Sequence, residues 1–263
     1  MGPFFRTVAE RVSRHVVLRR RLPRRVGGAI VYVSPDAALR FWLPDVGAVD
    51  RSLLDAAGEL VRPGDVVWDV GANVGLFSFA AAGLSGEAGL VAAIEPDPFL
   101  VSLLRRSARR RAAGHARVEV VPAVVSDVPG VRRLCIARRG RNSNHVEGAG
   151  RSQAGGVRDR QWVPSVTLDS LLDVFAPPTL LKVDVEGHEL AVLAGGRRLL
   201  TAYRPTVLCE VGAENASSFA AIFAGLGYGL YDADAARELR MPLMKAAWNT
   251  LAVPRERDVG VPA

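Results

Sequence analysis

The stretch VVWDVGANVGLF, residues 66–77, decides the fold. Val66–Val70 is apolar except for Asp69, and it is made of β-branched and aromatic residues, as a strand buried on both faces should be. Gly71 and Gly75 then bracket Asn73, and the apolar run LFSFAAAGL starts a helix. A strand, a glycine turn and a helix make the first half of a βαβ unit. Glycine lets a backbone approach a ligand closely, and asparagine is among the few other residues that tolerate left-handed geometry. In an open α/β sheet, ligands sit beyond the carboxyl ends of the strands, where this turn lies.

The same rhythm runs outward from it. LVAAIE (90–95), RVEVVPAVVS (117–126), TLLKVDV (179–185) and TVLCEV (206–211) read as strands. DPFLVSLLRRSARRRAAG (97–114), TLDSLLDVF (167–175), EGHELAVLAG (186–195) and NASSFAAIFAGLG (215–227) read as helices. Asp97 is placed to cap the first of these, with Pro98 at its first position. YGLYDAD (228–234) and AWNTLAVP (247–254) are closing strands. The expected fold is α/β, a mostly parallel, doubly wound sheet covered on both faces.

Upstream, VDRSLLDAAGELVRPG (49–64) has helix marks, with Asp50 at the N-cap and Pro63-Gly64 as the stop. AIVYVSPDAALRFWLP (29–44) predicts two short strands around Ser34-Pro35-Asp36. Phe4, Val8, Val12 and Val16 repeat every four residues, which predicts a cationic amphipathic helix over 4–22. That helix either docks on the domain or makes weak contact with an anionic membrane surface. Residues 1–45 are therefore an N-terminal helix-and-hairpin extension and 46–263 the α/β domain. Within 131–165, strands near RRLCIA and QWVPSV form a β-hairpin-type insertion around 138–161, the longest aperiodic stretch. It is placed to act as a lid, with Asn142, Asn144 and His145 offering polar contacts.

The chain has 263 residues, 49% of them hydrophobic, enough for one full core. Its net charge of +7 sits in the leader, where residues 1–27 hold eight arginines against Glu10. No apolar run approaches the roughly 20 residues of a membrane span, and no signal-type stretch opens the chain. The expectation is a cytoplasmic protein whose Cys135 and Cys209 are buried free thiols.

Five acids fall at expected strand ends: Asp69, Glu95, Asp184, Glu186 and Glu210. A nicotinamide dinucleotide is one candidate, because Glu95 stands where a ribose-binding acid belongs. The loop lacks the full G-x-G-x-x-G spacing, however, and Asp69 beside it would repel a pyrophosphate. S-adenosylmethionine, with a sulfonium and an ammonium, suits an acidic rim better, and Glu95 would take its ribose hydroxyls.

VVWDVGANVGLFSF, AIEPDPF, AVVSD, VTLDSLL, LLKVDVEGHELAVLAG and LCEV together resemble the successive motifs of FkbM-type S-adenosylmethionine-dependent methyltransferases, over about residues 50–212. WNTLAVP resembles the family's last strand. The resemblance implies a class I methyltransferase fold and O-methylation of a small-molecule hydroxyl, on a secondary-metabolite macrocycle or a sugar. It also implies cofactor-binding positions: Asp69, Gly71, Asn73 and Gly75 at the methionine end, Glu95, Pro96 and Asp97 at the ribose, and Ala123, Ser126 and Asp127 at the adenine edge.

Catalytic candidates cluster in DVEGH. Asp184 is read as the base or acceptor orienter, with Glu186 and His188 beside it. Glu186 and Glu189 also suit a helix N-terminus, and His188 a capping role. Two carboxylates and a histidine could hold a divalent metal, but no second ligand cluster accompanies them, so no metal is assigned. Two other enzyme classes remain open. A nucleic-acid methyltransferase would fit the basic leader, but DVEG is not an Asn/Asp-Pro-Pro-aromatic element and neither cysteine follows proline. An NAD-dependent oxidoreductase is separated by cofactor binding, and a non-catalytic binding protein by the absence of turnover.

Overall fold

The computed structural model describes residue 14, residues 16–149 and residues 156–257. The predicted helix over 4–22 lies mostly outside these residues. Its described end is instead a strand, β1 (Leu18–Arg21), paired antiparallel with β2 (Ile30–Val33). Alternate side chains of β1 are half-buried and exposed, a period-two pattern that an arginine-rich run conceals. The second strand expected in 29–44 is also absent. Leu39–Trp42 forms a 3-10 turn, which buries Phe41 and leaves Trp42 in solvent.

Helix α1 (Arg51–Leu60) follows. Asp50 stands at its N-cap, but its carboxylate pairs with Arg40 at 3.0 Å rather than capping the helix. The alternating units are then β3 (Val66–Val70), α2 (Leu76–Ser85), β4 (Leu90–Ile94), α3 (Pro98–Ala108) and β5 (Arg117–Val121). The insertion contributes β6 (Val124–Val125), β7 (Gly130–Ala137), β8 (His145–Val146) and β9 (Val157–Val166). The last units are β10 (Leu180–Val183), α4 (Glu189–Ala194), β11 (Thr206–Glu210), α5 (Ala216–Gly225), β12 (Tyr228–Asp232) and β13 (Asn249–Pro254). The helix expected over 167–175 is one turn, Leu168–Leu171, closed by a Thr167–Ser170 capping box.

The seven strands of the main sheet lie in the order β12-β13-β11-β10-β3-β4-β5. All neighbours are parallel except β13, which runs antiparallel between β11 and β12. The chain winds from β3 out to β5 and returns to β10 on the other side, so the switch point lies between β3 and β10. This is the Rossmann-like, doubly wound α/β sheet that the alternation predicts. One face of it buries α1, α2, α3 and the leader residues Val26, Val31 and Phe41. The other face buries α4, α5 and Trp68. The insertion forms its own four-stranded sheet, β6-β9-β7-β8, beside β5. Cys135 and Cys209 are buried and free. No described helix is long and apolar enough to cross a membrane.

Candidate active site at the carboxyl edge of the sheet

A cavity opens at the switch point. Its floor is the loop after β3, where Gly71, Asn73 and Gly75 all have positive φ (78°, 52° and 86°). Gly71 is required there, since a Cβ would overlap the Asp184 carbonyl. Asn73 lines the cavity, and its Oδ1 is buried without a hydrogen-bond partner. Gly75 does not line it; with its left-handed φ it closes the loop and starts α2.

Asp69 is placed differently from expectation. Period-two alternation puts it on the α2 face of β3, fully buried, and the register sets Lys182 of β10 directly beside it. Lys182 Nζ lies 3.2 Å from Asp69 Oδ1, and Ser78 donates to Oδ2 at 2.5 Å. Asp69 therefore ties β3 to α2 and β10, its charge already met, and it does not line the cavity. The repulsion of a pyrophosphate must come from other acids.

Those acids are present. Glu95 and Pro96 line the cavity. The Glu95 carboxyl accepts from the Asn73 and Asp97 backbone N–H groups, each at 2.9 Å. Burial nevertheless pushes its pKa up to about 8, with Asp97 and Asp69 adding to the rise. Asp184 and Glu186 line the opposite wall with Glu210 at the end of β11. Burial, together with Asp184 and Glu189, raises Glu186 to about 7. Burial likewise raises Glu210 to about 8, reinforced by Asp184 and Glu186. Asp184 is held by Lys182 at 3.3 Å. Glu186 sits at φ 43°, a left-handed conformation that costs energy outside glycine. Glu189 turns away, accepting from Gly187 N–H and Asn215 Nδ2, each at 2.7 Å.

Asp97, Ser126 and Asp127 do not line the cavity, whereas Ala123 does. Asp97 caps α3 through Phe99 N–H at 2.9 Å. Its second oxygen accepts from Arg141 at 2.5 Å and from Asn144 at 2.7 Å. Arg141 also reaches Asp36 at 2.6 Å, and Arg158 meets Asp36 through two nitrogens. This buried charged clasp ties the leader and the insertion to the cap of α3. The segment expected to be a lid is thus partly fixed: Arg141, Asn142, Asn144 and His145 line the cavity beside Val146. The leader contributes Phe41, and α1 contributes Leu53. Position along the chain offered no signal for these two walls. His188 lines the cavity as well, and its Nε2 lies 3.0 Å from Ser126 Oγ. Among the described residues, no group of three or more His, Cys, Asp or Glu side chains is arranged to hold a metal.

The family model of the methyltransferase FkbM domain matches residues 69–238, from β3 through the strands that build this cavity. The chain belongs to the FkbM methyltransferase family. The 31-O-demethyl-FK506 methyltransferase FkbM of Streptomyces tacrolimicus is 41% identical over 120 residues. That match takes in 45% of this chain and 42% of the relative, so the chain aligns with less than half of the relative's length. Among solved structures, the methyltransferase FkbM of Methylobacillus flagellatus KT has a TM-score of 0.46 at 16% identity, over 81% of this chain and 56% of that one. A SAM-dependent O-methyltransferase of Thermotoga maritima has a TM-score of 0.42 at 13% identity, over 77% of this chain and 63% of that one.

Proposed function

We propose that the chain is an S-adenosylmethionine-dependent O-methyltransferase acting on a hydroxyl of a small-molecule secondary metabolite or sugar. The observation that carries this reading is the acidic cavity at the switch point. Three of its carboxyls are raised to about 7 or 8, so they are short of cationic partners. An acidic pocket of this kind favours a ligand with fixed positive charge and disfavours a pyrophosphate. The unpartnered Asn73 Oδ1 is a further acceptor on the same loop. These residues fit a sulfonium–ammonium cofactor. Gly71 and Asn73 would hold its amino-acid end, Glu95 its ribose and Ala123 its adenine edge. Bound S-adenosylmethionine supplies an electrophilic methyl group on a positively charged sulfur.

The chain's own contribution is positioning. Holding the acceptor oxygen near contact distance and in line provides much of the rate. Asp184, fixed by Lys182, is placed to orient the acceptor hydroxyl. Phe41, Leu53 and the Asn142–Val146 wall would shape the acceptor end and exclude water. Calorimetry with S-adenosylmethionine, S-adenosylhomocysteine and NAD tests the cofactor. A screen of hydroxylated macrocycles and sugars, with 31-O-demethyl-FK506 as its first member, tests the reaction by a mass gain of one methylene. Tighter binding of NAD, or transfer to nucleic acid alone, overturns the reading.

A further inference from the structure

We propose that His188, through its Nδ1 atom, takes the proton from the acceptor hydroxyl, and that Ser126 and Asp127 are positioning residues that fix its tautomer. The inference rests on the methyl-transfer reading and adds the base to it. Ser126 Oγ lies 2.8 Å from Asp127 Oδ1 and 3.0 Å from His188 Nε2. A hydroxyl has one hydrogen to give, and a carboxylate can only accept. Asp127 is a carboxylate: the Ser126 hydroxyl and the Arg132 guanidinium, the latter at 3.1 Å, hold it below the usual range. The Ser126 hydrogen therefore goes to Asp127, and the Ser126 oxygen accepts from His188 Nε2–H. The tautomer follows from the network. The lone pair is left on Nδ1.

Nδ1 has no protein partner among the described residues and is not sealed from solvent, and His188 lines the cavity. Burial, aided by Arg132 and opposed by Asp127, holds the imidazole below its ordinary pKa, so it is neutral and ready to accept at neutral pH. Of the neighbouring acids, Asp184 is engaged by Lys182 at 3.3 Å. In the step, the acceptor oxygen forms its bond to the methyl carbon and its O–H proton passes to Nδ1. The carbon–sulfur bond breaks with its electron pair on sulfur, and the imidazolium then returns its proton to water.

The test uses the full chain labelled with ¹⁵N-imidazole and bound to S-adenosylhomocysteine. The chain has four histidines, so His188→Gln assigns the signal. Long-range ¹H–¹⁵N spectra at pH 7.5 should show His188 as the neutral Nε2–H tautomer. Asp127→Ala frees the Ser126 hydroxyl to donate to Nε2 and should abolish the single tautomer. Asp127→Asn keeps an accepting oxygen and should preserve it. With an acceptor returned by the screen, His188→Gln should lower kcat by roughly 10²–10⁴-fold, the scale of a lost general base. Its affinity for S-adenosylhomocysteine should stay within about twofold, since Nδ1 is assigned to the acceptor side. Asp127→Ala should lower kcat by roughly tenfold or more, as a lost tautomer does, while Asp127→Asn stays near wild type. An Nδ1–H tautomer, an imidazolium at pH 7.5, wild-type turnover in His188→Gln, or a loss confined to His145→Gln overturns the assignment. Failure of the wild-type chain to bind S-adenosylhomocysteine or methylate any acceptor overturns the methyl-transfer reading itself, and the base with it.

Discussion

Gly71→Ala is the sharpest probe of how the site is built. At φ 78° an added Cβ carries left-handed strain of roughly 1–2 kcal/mol. The Cβ would also fall inside 3.0 Å of both the Asp184 carbonyl oxygen and its carbon. Backbone cannot rotate aside as a side chain can, so the loop after β3 must lift from the end of β10. Overpacking of this kind adds about 1–3 kcal/mol. The total is about 3 kcal/mol, which lowers Tm by roughly 10 °C for a domain of this size. Gly64 is the control. It has φ 84°, but a Cβ there meets nothing within 4 Å, so Gly64→Ala should cost only the strain, roughly 1–2 kcal/mol. Thermal melts followed by circular dichroism measure both. S-adenosylhomocysteine should stabilise Gly64→Ala as it does the wild type and Gly71→Ala far less. Equal losses in the two variants would refute the argument that close approach to Asp184 demands glycine.

Further outcomes follow from charge. Glu95, Glu186 and Glu210 have folded pKa values of about 8, 7 and 8, above their ordinary 4.5. The folded chain therefore binds more protons than the unfolded one, and ligand-free stability should fall as pH rises from about 4.5 to about 8. A cationic cofactor ionises these groups, so calorimetry in two buffers of different ionisation enthalpy should show proton release at pH 7; uptake would contradict this. Glu95→Ala should weaken cofactor binding by about 1–3 kcal/mol, read by the same titrations. Asp36→Asn removes the carboxylate that Arg158 bonds and one of the two on Arg141, and should cost about 3 kcal/mol in urea unfolding. Asp184→Asn should lower turnover, with cofactor affinity nearly intact.

The main sheet was legible because each of its strands is a short apolar run closed by a turn or cap, as in VVWDVG and AIEPDP. Gly71, Asn73, Glu95, Pro96, Ala123, Asp184, Glu186 and His188 line the cavity that this pattern predicts. What escaped depends on contacts across the chain. Asp69 reads as a free carboxylate until β10 is known to lie beside β3, which puts Lys182 against it. Asp97, Ser126 and Asp127 follow strand ends correctly but spend their polar atoms on Arg141, His188 and Arg132. The strand β1 was hidden because three consecutive arginines mask its alternation while Val8, Val12 and Val16 favour a helical period.

The clasp joining Asp36, Asp97, Arg141 and Arg158 bears on how such a chain diversifies. The matched family segment begins at residue 69, so Asp36, Phe41 and Leu53 stand outside it, while the clasp's other three members stand within. A leader rewritten without an acid where Asp36 stands leaves Arg158 without the carboxylate it bonds and Arg141 with Asp97 alone. Phe41 and Leu53 carry no such obligation; they touch neither the clasp nor Glu95 through any polar bond. Substitutions there can remodel one wall of the cavity while the glycine loop and the acids stay as they are. Variation is thereby constrained unevenly: a change at one clasp residue disturbs the ion pairs of the others, whereas Phe41 and Leu53 are tied by no such bond.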